Sequence, residues 1–280
     1  SEASVSSRSL ATEKLRLKRH REYRQLQRIA STRQAAFTSQ SQQALHDYVG
    51  SEARELGGAA FTRFMNDLYT RVFQLVNSTE PHERLGGVRA IDALIDVSLL
   101  GENATKISRF ANYLRDIFQP STDAVTLAAA AKALGHLVHS GGPVTADVVE
   151  FEVKRALEWL QGERVEYKRL AAVLILKELA KNSPTVFNVH VAVFIRSIWS
   201  GLRDPKLSIR RASIAALRAC LVVVEKRETR YRVKWYYELF EETKRGARKG
   251  SSGADSVHGS LLVIGELLRH TGEFMLARYR

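Results

Sequence analysis

His136 and His139 lie three residues apart, so on a helix both imidazoles would share one face and could in principle hold a metal between them. A metal site needs three or four donors, and no further His, Cys or acidic residue is locally spaced with this pair. The plainer expectation is one histidine packed near a helix end beside Gly141-Gly142 and the other in solvent. Cys220, the one cysteine, is the second isolated candidate, as a nucleophile or redox thiol. No glycine-rich phosphate loop, paired-histidine zinc motif, nucleophile elbow or Asp-Phe-Gly triplet occurs in the 280 residues. The sequence therefore offers no catalytic constellation, no cofactor site and no metal site.

The elements that would position any side chain are helical. Only 5 prolines interrupt a chain that is 45% hydrophobic, and Ala, Leu, Arg and Glu fill long stretches without a breaker. Within those stretches one pattern recurs five times: two small residues, an aliphatic residue, then two apolar positions at three-residue steps. Its copies are Gly86-Gly87-Val88 with Ile91 and Leu94, Ala129-Ala130-Ala131 with Leu134 and Leu137, and Ala171-Ala172-Val173 with Leu176 and Leu179. Ala212-Ser213-Ile214 with Leu217 and Cys220, and Gly259-Ser260-Leu261 with Ile264 and Leu267, complete the set. The copies recur every 41 to 47 residues, within the period of about 40–47 of HEAT and armadillo arrays. The longest interval, the last, holds the polar glycine-rich run 246–254, which absorbs the extra residues.

Ahead of each copy runs another stripe at helical spacing, such as Phe61, Phe64, Met65, Leu68, Val72 and Leu75, or Val191, Ala192, Ile195, Ile198, Trp199 and Leu202. Proline-containing turns at Pro81, Pro120 and Pro205 separate the two stripes of a pair. Gly141-Gly142-Pro143 and Asn182-Ser183-Pro184 separate one pair from the next. The expected fold is all-α: a right-handed α-solenoid of stacked αα-hairpins. Residues 1–12 are expected to fray, residues 13–55 to hold a basic helix and a degenerate first repeat, and residues 56–280 five HEAT-type repeats. The second helices of those five are expected near 84–97, 123–139, 166–181, 206–224 and 255–270.

Glycine inside a helix costs about 1 kcal/mol relative to alanine, so Gly86, Gly87 and Gly259 need a structural return. Close helix crossing supplies one, and Ala129, Ala130, Ala171, Ala172, Ala212, Ser213 and Ser260 fill the same slots. Cys220 takes the place of Leu94 and Leu179 and so reads as core. Arg84, Arg169 and Arg210 each stand two residues before a small pair, suited to capping or a polar ladder within a repeat. At least two of Trp159, Trp199 and Trp235 are expected in the core, and an exposed one could anchor a partner.

The net charge of +13 raises the question of nucleic acid. Its distribution answers in part: residues 51–224 carry 22 basic against 18 acidic side chains, and the excess is densest in Lys14–Arg28 and between Lys226 and Lys249. The aromatic residues of the second run, among them Trp235, Tyr236 and Phe240, stand at helical spacing as a first-helix stripe rather than as a base-stacking platform. A basic HEAT-like nucleic-acid-binding solenoid is therefore the alternative reading. A single cysteine points to a reducing compartment, and the longest strongly apolar run, Leu170 to Leu176, is far short of the roughly 20 residues of a membrane span. A soluble protein is expected.

Three stretches go beyond generic repeat sequence: Arg109-Phe110-Ala111-Asn112-Tyr113-Leu114-Arg115, the run from Glu150 to Leu160 with its charged Glu152-Val153-Lys154-Arg155, and Ala216-Leu217-Arg218-Ala219-Cys220-Leu221. Through them the chain resembles, from about Ala44 to Arg269, the amino-terminal HEAT region of the TOR (target of rapamycin) serine/threonine kinases. The resemblance implies a non-catalytic scaffold arm of a nutrient- and growth-signalling kinase whose catalytic domain lies elsewhere. It further implies two partners, a Raptor-like subunit and another copy of the full-length kinase in a dimeric complex. The implied location is cytoplasmic, extending to the lysosomal or vacuolar surface. No catalytic residue carries over, and the first 40 residues and Lys244 to Asp255 depart from the family pattern.

Overall fold

Asp123 shows how these helices begin. Its Oδ1 accepts from the backbone N–H groups of Val125 (3.0 Å) and Thr126 (2.9 Å), satisfying donors that a first turn leaves orphaned. Pro81 and Pro184 do the same work by omission, since each stands in a first turn where its missing N–H costs nothing. Two helices end on glycines with positive φ, Gly142 (53°) and Gly272 (54°), a region that a side chain would strain.

The computed structural model describes residues 39–97, 103–120, 122–227, 231–248 and 253–278. These form two compact units, one up to Val97 and one beyond it. The expected frayed segment, the basic run Lys14–Arg28 and part of the glycine-serine loop lie outside the described residues. Among the described residues every regular element is helical.

In the first unit, α1 (Ser39–Glu55) packs on α3 (Pro81–Leu94), which pairs with α2 (Gly58–Val76). Leu45 and Val49 of α1 are buried, and the Gln42 amide donates to the Arg89 carbonyl (3.3 Å) and the Asp92 carboxylate (3.2 Å). Residues 39–55 thus occupy the place of a second helix stacked on the next second helix. Helix α3 opens three residues before the sequence-based boundary because Pro81 already lies in its first turn.

The second unit stacks four hairpins: α4 (Asn103–Ile117) with α5 (Ala124–Gly141), α6 (Ala146–Gly162) with α7 (Glu166–Asn182), α9 (Val191–Leu202) with α10 (Leu207–Arg227), and α11 (Arg232–Gly246) with α12 (Ala254–Thr271). Second helices α5, α7, α10 and α12 contact one another in series and form one layer, while α4, α6, α9 and α11 form the other. Two of the separators between hairpins are themselves wound, one as a 3-10 turn Gly142–Thr145 and the next as the one-turn helix α8 (Pro184–Phe187) and a 3-10 turn Asn188–His190. After α12 comes a last short helix, α13 (Glu273–Leu276).

Residues 184–202 are, by length and composition, apolar enough to cross a membrane, a property that the single run Leu170–Leu176 does not reveal. Here they are core: Phe187, Phe194, Ile195, Ile198 and Leu202 are buried, and α9 packs against α6 and α10. Trp199 and Trp235 are buried as well, whereas Trp159 is half-buried.

Candidate protein-interaction surface

The small-pair residues lie where helices cross. A Cβ at Gly87 would come within 2.9 Å of the Val76 nitrogen, so α3 passes close to the end of α2. In the next two copies Ala130, Ala171 and Ala172 are fully buried, and Ala129 is half-buried. Gly86 is buried and Ala212 half-buried. The last two copies put serine in the second slot, and the partner helix answers with glycine: a Cβ at Gly201 would lie 2.3 Å from the Ser213 hydroxyl, and one at Gly246 would lie 2.3 Å from that of Ser260. Those compensating glycines were visible in the sequence but carry no signal until the crossing is known. Gly259 faces the preceding hairpin, where a Cβ would lie 2.0 Å from the Leu202 carbonyl oxygen. The aliphatic position after each pair is buried in four copies, whereas Leu261 is exposed.

Polar links join successive hairpins. Arg169 Nε donates to Asp204 Oδ2 (2.6 Å) in the turn of the next hairpin, while its Nη1 donates to the Arg164 carbonyl. Arg210 donates to the Asp204 carbonyl (2.7 Å) of its own turn and to Asp255 Oδ1 (2.5 Å) of the following helix pair. The expected ladder within repeats therefore runs between them too, because a guanidinium fork can satisfy its own turn and still reach outward. Asp204 is 3% exposed, so this pairing is a buried one. Arg84 sits half-buried on α3. On the other layer Glu152, nearly fully buried, accepts from Arg115 (3.0 Å) and from Arg155. Burial draws Arg155 below the usual arginine range, opposed by the Glu152 charge beside it.

The isolated candidates for chemistry dissolve into packing. Cys220 is buried, and burial pushes its thiol far above the ordinary range, so the nucleophilic thiolate is suppressed. His136 is half-buried and His139 exposed in the last turn of α5. Among the described residues no three His, Cys, Asp or Glu side chains are grouped to hold a metal ion.

What remains is surface, and it differs between layers. Between first helices α9 and α11 lies a groove of about 690 Å³ lined by Ile195, Trp199 and Tyr237 and by three basic and three acidic side chains. Its charges neutralise one another: Lys234 with Glu238 (3.9 Å) and Arg245 with Glu242 (3.2 Å). Between second helices α7 and α10 lies a groove of about 640 Å³ with Ala180, Ala215, Ala219, Val222 and Val223 in it and Lys177, Lys181, Arg218 and Lys226 around it. No carboxylate lines this second groove. A third exposed feature follows α6, where Arg115 lies 4.3 Å over the half-exposed Phe151 ring, Arg155 4.6 Å over Trp159, and Lys168 5.8 Å over Trp159.

No family model matches the chain. Individual proteins do: it is 53% identical over 237 residues to the serine/threonine-protein kinase TOR of Arabidopsis thaliana and 54% identical over 237 residues to that of Oryza sativa subsp. japonica, each alignment covering 85% of this chain. Over 235 residues it is 44% identical to the serine/threonine-protein kinase tor1 of Schizosaccharomyces pombe. The chain is a segment of a TOR-family protein. It spans about 10% of the length of these relatives and corresponds to a non-catalytic part of them.

Proposed function

We propose that this chain is a protein-interaction and scaffold arm of a TOR-like serine/threonine kinase, supporting dimeric assembly and binding a Raptor-like subunit. The observation that carries the reading is the match itself: more than half the residues are shared with plant TOR kinases across 85% of the chain, within a tenth of their length. Identity at that level constrains exposed side chains as well as core, and exposed side chains are constrained by what they touch. Two Arg–Asp links between hairpins, the buried Arg169–Asp204 and the half-exposed Arg210–Asp255, support the same reading, because they tie neighbouring hairpins together and let separate surface patches act at a set spacing. The working location on this reading is the cytoplasm and the surfaces of lysosome or vacuole that the full complex reaches.

The test is co-elution. The purified chain should elute with a Raptor-like subunit of the same organism on size exclusion and should transfer no phosphate from ATP to a peptide substrate. Phosphotransfer by the folded chain, or separate elution from the subunit at micromolar concentrations, refutes the proposal.

A further inference from the structure

The groove between α7 and α10 combines an apolar floor with a cationic rim. Its floor is apolar, with Ala180, Ala219 and Val223 nearly buried and Val222 at its edge 37% exposed. Its rim is cationic on both sides, Lys177 and Lys181 from α7 and Arg218 and Lys226 from α10. Two of the four are engaged below the rim: Lys177 with Glu178 (2.7 Å), and Arg218 with the buried Glu266 through Nε (3.0 Å) and Nη2. Lys181 and Lys226 are exposed and form no ion pair among the described residues. The groove on the other layer has the same size, yet its three cations are matched by three glutamates.

From this contrast we propose that the α7–α10 groove is a docking site for an acidic amphipathic helix of a partner protein. The shape fits a helix. Arg218, Val222 and Lys226 follow one another at four-residue steps, about 12 Å along α10, so one wall presents cation, aliphatic, cation over two turns. A guest helix with apolar residues at i, i+3, i+4 and i+7 would lay that stripe on the alanines and valines, and carboxylates flanking the stripe would meet Lys181 and Lys226. Nucleic acid is the poorer guest, since the groove offers no aromatic side chain for a base to stack on and its floor would desolvate phosphates without pairing them.

The proposal rests on the scaffold reading and names the chemistry of one of its contacts. Its probe is a fluorescent peptide of roughly 16 residues, long enough for four turns, with leucines in that stripe and glutamates flanking it, beside a twin carrying lysines instead. The whole chain should bind the acidic peptide and not the twin. Lys181→Glu with Lys226→Glu should weaken binding about tenfold or more, whereas Glu238→Lys in the other groove should leave it unchanged. Both lysines are exposed, so helicity by circular dichroism should survive. Should it not, Val222→Glu at the edge of the floor carries the same test with the same expected loss. Unchanged affinity in the lysine variants, equal binding of the twin, or displacement of the peptide by a single-stranded oligonucleotide that binds more tightly overturns the proposal. The two readings fail separately. A chain that co-elutes with the Raptor-like subunit but ignores the acidic peptide loses only the groove, and one that binds the peptide but not the subunit loses only the scaffold assignment.

Discussion

Helix α12 contains two interior glycines with opposite reasons to exist, and alanine at each should move stability in opposite directions. Intrinsic propensity favours alanine by about 1 kcal/mol at either position. At Gly265 a Cβ would meet nothing within 4 Å, so the whole gain should appear, raising Tm by roughly 2–4 °C for a chain of this size. At Gly259 the new carbon would sit 2.0 Å from the Leu202 oxygen and 2.8 Å from its carbonyl carbon. Those atoms are backbone at the end of α9, so no rotamer change makes room. Helix α12 would have to retreat by about 1 Å or more to restore ordinary contact, loosening the packing of Val263 and Leu267 and the Ser260–Gly246 approach. Overpacking of this kind costs about 1–3 kcal/mol, and a clash with backbone belongs at the upper end, so Gly259→Ala should lose about 1–2 kcal/mol after the propensity gain is subtracted. Urea unfolding of the wild type and both variants gives the sign, and hydrogen exchange over 191–203 and 254–271 locates it. If Gly259→Ala is as stable as Gly265→Ala, or if faster exchange appears away from α9 and α12, the close-crossing argument is wrong.

Asp204→Ala strands Arg169 and removes the acceptor of the Lys206 N–H (2.8 Å), which should cost about 3 kcal/mol, and combining it with Arg169→Met should cost less than the two losses added together. Strict additivity in that cycle would mean the pair does not tie the hairpins. Glu266 is buried, which alone would raise its pKa, but hydrogen bonds and charge from Arg218 and Arg269 outweigh burial and hold the carboxyl below the usual range. A folded pKa below the unfolded one contributes stability above about pH 4.3 and loses it as pH falls through the folded value. Glu266→Gln should therefore be destabilising at pH 7, and its deficit should shrink as stability is measured from pH 5 to pH 3. A deficit that stays constant over that range removes the ion-pair account.

The fold class was legible because it depends on periodicity, and periodicity survives in one dimension. Five small pairs at near-equal spacing require five equivalent crossings, and the crossings sit at Gly87, Ser213, Gly259 and Ser260 where clearance can be measured. Boundaries were less legible: Pro81 stands inside α3, and α8 with the 3-10 turns winds segments that glycine and proline mark as breaks. Residues 184–202 show the limit of composition, since the same apolar stretch would satisfy a bilayer or a core, and only its contacts with α6 and α10 decide. The links Arg169–Asp204 and Arg210–Asp255 join residues 35 and 45 apart, separations that mean nothing until the hairpins are stacked.

The candidate surface was illegible for a different reason. A net charge of +13 is a sum, and binding depends on which cations still lack a partner once the helices pack. Helix α11 carries three glutamates, Glu238, Glu241 and Glu242, and they quench Lys234, Lys244, Arg245 and Arg203 locally. Helix α10 places Arg218 and Lys226 on the other groove, yet Glu266, buried on α12, pairs with Arg218 and Arg269 and leaves Lys226 without an ion pair among the described residues. One basic sequence thus yields a charge-balanced groove and a cationic groove on opposite layers. The asymmetry follows from the hairpin: its two helices belong to different layers, so charges close in sequence are dealt to opposite faces, and balance along the chain guarantees none on either surface.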